Sequence, residues 1–90
     1  MYSKAVTVVN PAGLHARPAA MLATKANEFA CSVQVRNLTK SGDAKDAKSM
    51  IAVMTAQAGP GNEVAVIADG EDEREAVEAL VAFIAEGCGE

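Results

Sequence analysis

No tryptophan occurs in this chain and aromatic residues make up only 3% of it, so bases would find no platform on which to stack. Positive charge is short as well: 8 Lys and Arg stand against 12 Asp and Glu, a net charge of −4, and no basic run could track a phosphate backbone. Nucleic acid is therefore not an expected ligand. Cysteine is confined to Cys31 and Cys88, far apart and without a CxxC pair, and the chain holds 1 histidine. That supply makes neither a disulfide framework nor a zinc site, so no metal or other cofactor is expected, and the thiols read as buried or incidental. Long apolar runs are missing too. No stretch approaches a membrane span, and the opening MYSKAVTVVN alternates where a secretory leader would carry a charged start and a long apolar core. The expectation is a cytoplasmic protein with no membrane contact.

What is present fits a single domain over residues 1–90. A chain of this size buries roughly 60–65% of its unfolded surface, enough for on the order of 5–10 kcal/mol of stability but not for a deep enclosed site. Any chemistry belongs on the surface.

Residues 2–9 place Tyr2, Val6 and Val8 on one side and Ser3, Ala5 and Thr7 on the other, the alternation of a half-buried strand that Asn10, Pro11 and Gly13 end. From Ala16 the positions Ala19, Leu22, Ala23, Ala26 and Phe29 recur at helical steps and predict a helix to about Glu28. Pro18 suits its first turn, where a missing N–H costs nothing. Val33 and Val35, alternating with Gln34 and Arg36, predict a second strand, and NLTKSGDAKD supplies the turn into a short third one. Ser49 caps a short apolar helix, SMIAVMTA, which AGPGN breaks before a strand over residues 63–68. Asp69 is the expected N-cap of a last helix, with Glu71, Asp72 and Glu73 in its first turn, Val77, Leu80, Val81 and Ile84 facing inward and Gly87 at its end. The order strand, helix, strand, strand, helix, strand, helix leaves too few residues to cover both faces of a sheet. It predicts an α/β open-faced two-layer sandwich with one sheet face in solvent.

The histidine lies in NPAGLHARPAA, between a glycine turn and a helix start. His15 then falls on or beside the N-cap, where free backbone N–H groups and the positive end of the helix dipole favour an anion. Arg17 adds a fork that can hold two phosphoryl oxygens at once. A neutral imidazole at such a place can attack phosphorus and later release the group, which reads as a histidine that receives and donates a phosphoryl group. By itself, an HxR at a helix start more often marks a plain cap. The surroundings argue otherwise: Ala16, Ala20, Met21 and Thr24 fall off the buried face, and a helix as short as the one carrying Met50, Ile51, Val53 and Met54 can bury only one side. Together they make an adaptable apolar surface suited to protein partners.

GLHARPAA, followed later by KSM and a short apolar helix, resembles the HPr family, the histidine phosphocarriers of the bacterial phosphoenolpyruvate-dependent sugar phosphotransferase system. The likeness extends over the whole chain to the closing EGCGE. It implies a four-stranded antiparallel sheet covered by three helices, in the order βαββαβα. It implies that His15 is phosphorylated on Nδ1 by phospho-Enzyme I and passes the group to IIA domains of sugar permeases, with Arg17 assisting. The chain would then be a carrier, not an enzyme with its own small substrate, and is expected to act as a monomer. Ser49 falls on the family's regulatory serine, the target of an ATP-dependent kinase and phosphorylase in many members.

Three departures stand out. SGDAKDAKSM is longer than the usual hairpin before the serine, Ala12 replaces a commonly polar residue that could help hold the phosphoryl group, and Ala52 stands where glycine is common. Within the family the alternative is a regulatory paralogue serving a nitrogen-linked phosphotransfer chain. A pure interaction module would need neither His15 nor Arg17. A small phosphate hydrolase would need a general base, and no carboxylate is placed for that work.

Overall fold

A computed structural model describes residues 1–88; Gly89 and Glu90, the end of EGCGE, lie outside the described residues. The elements are β1 (Tyr2–Thr7), α1 (Arg17–Ala26), β2 (Ser32–Asn37), β3 (Lys45–Asp46), α2 (Met50–Thr55), β4 (Glu63–Asp69) and α3 (Glu73–Ala85). This is the predicted order. The first strand stops short of Val8 and Val9, and the first helix ends at Ala26, where Asn27 turns its Nδ2 back to the Ala23 carbonyl at 2.8 Å.

The strands form one antiparallel sheet in the order β1-β4-β2-β3. Glu63–Asp69, free of proline and glycine, can offer ladder hydrogen bonds on both edges and so takes a central place. Val6 opposes Val64 across one edge, and Val35 opposes Val66 across the other. Because side chains alternate, Val33, Val35, Val64, Val66 and Ala68 all point to the covered face, where they meet Leu22 and Ala26 of α1 and Val77, Leu80 and Ile84 of α3. Each such valine or leucine stabilises the fold by about 1.5–3 kcal/mol through burial. Ser3, Ala5, Thr7, Ser32, Gln34 and Arg36 lie exposed on the opposite face, with no helix over them. No helix among the described residues is long and apolar enough to cross a membrane.

The last helix begins later than its sequence suggests. Asp69 is not the N-cap; it is held in β4 opposite Ser32, and Gly70 then turns at φ 146°, close enough to Cys31 that a Cβ would lie 2.6 Å from the cysteine Cβ. Asp72 occupies the cap position, so Glu71 and Asp72 stand outside the helix and Glu73 and Glu75 supply its first turn. The Asp72 carboxylate does not cap its own helix. It accepts the N–H groups of Ala30 and Cys31 at 2.9 Å each, tying α3 to the connection between α1 and β2. The Ala30 N–H, followed by the Cys31 thiol, holds the Asp72 carboxyl below the ordinary aspartate range, while burial pushes the Cys31 thiol up to about 11. A thiol so shifted stays protonated and unreactive at neutral pH.

A carboxyl whose folded pKa is depressed contributes stability above its unfolded value near 4, and that contribution is lost as pH falls through the folded value. Asp72→Asn, which removes the charge from both contacts and sets an N–H₂ group against one of the two amides, is expected to lower the thermal midpoint at pH 7. The gap to the parent should close as pH is taken below about 4 in thermal unfolding followed by circular dichroism.

Candidate functional site

The loop that carries the histidine is built by Asn10, Gly13 and Leu14. Asn10 is buried; its carbonyl accepts the Gly13 N–H at 3.0 Å and its Nδ2 donates to the Gly13 carbonyl, closing the turn that ends β1. Gly13 sits at φ 67°, and a Cβ there would lie 2.4 Å from the Ala58 carbonyl oxygen, so only glycine fits. Leu14, buried in the core, then donates its N–H to that same oxygen at 2.8 Å. The chain leaves the core at the next residue. His15, Ala16 and Arg17 are all exposed.

Ala16 is the N-cap of α1, at φ 52° and ψ −119°, a conformation that costs a non-glycine residue on the order of 1–3 kcal/mol. The strain sits between His15 and Arg17. The first helical bond runs from the Ala20 N–H to the Ala16 carbonyl at 3.1 Å, and Pro18 has no N–H, so the amides of Arg17 and Ala19 open the helix without an intrahelical acceptor. Neither the His15 imidazole nor the Arg17 guanidinium makes a hydrogen bond or ion pair among the described residues. Free amides, the positive helix end and an uncommitted arginine follow an uncommitted imidazole within four residues of chain, a combination that suits a charged phosphoryl group.

His15 opens onto a shallow hollow of about 280 Å³ lined by Ala12, Leu14, Met54, Gln57, Ala58 and Gly59. Among the apolar surface residues read from the sequence, Met54 faces this hollow, half-buried. Ala20 and Met21 are half-buried and not fully exposed, because with Thr24 they face a second hollow, of about 290 Å³, which Lys25, Glu28 and Phe83 complete. Phe83 belongs to α3, and the Lys25 ammonium lies 5.4 Å from its ring centroid. Nothing in the sequence aligns the two helices, so that pair was not legible there. Met50 and Ile51 are exposed, Ile51 to 76%, while Val53 is the buried face of α2.

Ser49 is the N-cap of α2, and its hydroxyl oxygen accepts the Ala52 N–H at 3.3 Å. The residue before it is anchored to the end of α1: Lys48 Nζ donates to the Phe29 carbonyl at 2.7 Å, and Asn27 Nδ2 donates to the Lys48 carbonyl at 2.9 Å. The long hairpin is fastened at its root, where Arg36 Nε and the Gly42 N–H bind the Gly42 and Asn37 carbonyls. Among the described residues no group of His, Cys, Asp and Glu converges to hold a metal.

An open-faced sandwich that presents one histidine and one arginine at a helix start has the architecture of a carrier of charged groups. The chain belongs to the HPr family of phosphocarrier proteins of the phosphotransferase system: the family model described as "PTS HPr component phosphorylation site" matches residues 2–86. The chain is 41% identical over 90 residues to the Phosphocarrier protein HPr of Cupriavidus necator, covering 100% of this chain and 98% of that protein. It is 42% identical over 86 residues to the HPr-like protein Crh of Bacillus subtilis, covering 96% and 98%. Among solved structures, HPr-C-His from Thermoanaerobacter tengcongensis superposes with a TM-score of 0.90 at 36% identity, over 100% of this chain and 98% of that one.

Gly13→Ala tests whether the close crossing at Ala58 seats the histidine loop. The added methyl meets a carbonyl oxygen in a left-handed backbone, so a loss of about 1–3 kcal/mol or more is expected in denaturant unfolding. Amide shifts should spread over residues 12–17 and 56–59 and leave the sheet unmoved.

Proposed function

We propose that this chain accepts a phosphoryl group on His15 from phospho-Enzyme I and passes it to sugar-specific IIA domains, acting as a monomer in the cytoplasm. The observation that carries the reading is the exposed, uncommitted imidazole beside the open amides of α1 and the free Arg17. In the forward step the lone pair of an imidazole nitrogen, Nδ1 by family resemblance, forms a bond to phosphorus as the bond from phosphorus to the donor breaks. In the return step an acceptor attacks and the N–P bond breaks, leaving the imidazole as it began. The protein is modified and restored once per transfer and turns over no small substrate of its own. Arg17 and the amides hold charge on the three phosphoryl oxygens throughout.

The one histidine must meet both donor and acceptor, so one surface serves both. Ala16, Ala20, Met21 and Thr24 on α1, with Met50, Ile51 and Met54 on α2, supply small or flexible apolar side chains around it. Likeness to the HPr-like protein Crh of Bacillus subtilis favours a second reading, a regulatory paralogue that controls partners; the nitrogen-linked chain of the sequence reading draws no support from that likeness. The two readings differ in whether IIA domains accept the group.

Incubation with phosphoenolpyruvate and Enzyme I should add one acid-labile, base-stable phosphoryl group, and His15→Ala should abolish it. Arg17→Ala should keep the fold and slow transfer in both directions by about ten- to hundredfold, the loss expected for a charge-assisted bidentate contact. Uptake of the acid-labile group by the His15→Ala protein, read by mass spectrometry, would refute the site.

Ser49 combines its capping role with a regulatory one. Phosphate there adds close to two negative charges at a helix start, which the fold tolerates, but sets them beside Met50 and Ile51, where an apolar or acidic partner surface would reject them. Ser49→Asp should hold its thermal midpoint within a few degrees yet be phosphorylated less efficiently by Enzyme I. Parent-like phosphorylation kinetics would reduce Ser49 to a cap and leave the long SGDAKDAKSM hairpin as the reason regulation was lost.

A further inference from the structure

Gln57 follows the C-cap of α2 in a left-handed conformation, φ 53°, that glycine adopts freely and glutamine does not. Its backbone is fully engaged. The N–H donates to the Met54 carbonyl at 3.2 Å, and the carbonyl receives Lys40 Nζ at 2.9 Å and Asn37 Nδ2 at 3.4 Å. Its side-chain carboxamide, by contrast, makes no hydrogen bond among the described residues.

The position of Gln57 follows from one backbone contact. The Leu14 N–H binds the Ala58 carbonyl, so His15 and Gln57 are the residues next to that bond on its two sides, and both line the same hollow. The remaining lining residues, Ala12, Leu14, Met54, Ala58 and Gly59, carry no side-chain hydrogen-bond donor. Ala12, on the wall of the same hollow, offers only a methyl group.

We infer that Gln57 supplies the side-chain donor of this hollow: its carboxamide N–H₂ hydrogen-bonds a phosphoryl oxygen carried on His15. The inference rests on the phosphocarrier reading. It explains why a strained glutamine is kept where glycine would relax the backbone, since strain at a non-glycine residue is retained where its side chain is needed. Lys40, bound to the carbonyl of the same residue, holds the loop in place and adds positive potential behind it.

The deciding variant is Gln57→Gly, which removes the carboxamide and the strain together. Its thermal midpoint should rise, while phosphoryl transfer from Enzyme I slows by about tenfold, the size of one hydrogen bond to a charged group. A purely structural residue would not give a more stable and slower protein. Ala12→Asn in the Gln57→Gly background should restore most of the rate by returning a donor to the same hollow. In the parent, the ¹⁵N-labelled Gln57 side-chain amide should shift on phosphorylation by far more than the Gln34 amide, which lies on the open sheet face. If the parent takes up no acid-labile phosphoryl group at all, the carrier reading falls and this inference with it. If the parent is phosphorylated but Gln57→Gly transfers at the parent rate, or Ala12→Asn restores nothing, the Gln57 contact alone is overturned.

Discussion

One crossing of two backbones sets the geometry of the end that carries His15. The Leu14 N–H meets the Ala58 carbonyl at 2.8 Å, with Gly13 packed so closely that no side chain could intervene. Leu14 fills the core on one side of that bond, and His15 steps into solvent on the other. The Ala58 segment is itself pinned: Asn37, buried, donates to the Ala56 carbonyl and to Asn62 Oδ1, which in turn accepts the Gly59 N–H. A buried amide left without these partners would cost about 1–3 kcal/mol, so the loop has one arrangement.

From that fixed crossing the site gains its economy. The histidine, the arginine and the helix amides all stand within one stretch of chain, and the second wall of the hollow comes from a turn whose backbone bonds are spent on Asn37 and Lys40. Two of the residues with positive φ that are not glycine, Ala16 and Gln57, flank His15. Strain concentrated there is supported by the packed core of Leu22, Val66 and Leu80 and by the tie that Asp72 makes across the far end.

The end that carries His15 is open to solvent. With both helices α1 and α3 committed to one face, α1 directs its start, and α2 its exposed Met50 and Ile51, toward solvent. On the carrier reading proposed above, a shallow site with soft apolar surroundings lets donor and acceptor each cover it without entering a cleft.

Alternation in Tyr2–Val8, Val33–Val35 and Val64–Ala68, the helical spacing of Leu22 and Ala26 and of Val77, Leu80 and Ile84, and the serine before Met50 were enough to specify the element order and the covered face. Those features depend on residues near one another in the chain, where period and capping chemistry act directly. The place of His15 and Arg17 at the start of α1 was legible for the same reason. The start of α3 was not, since Asp69 is as good a cap as Asp72 until β4 claims it as a partner of Ser32. Nor were the Lys25–Phe83 pair, the left-handed turn at Ala16 or the place of Gln57 beside His15. Each of these requires segments distant in sequence to meet, or a backbone strained by neighbours it cannot choose. The sequence by itself determined which residues form strands and helices and that the histidine stands at the start of the first helix; the tertiary structure decided what surrounds that histidine, because only packing brings residues 12–17 and 54–59 together.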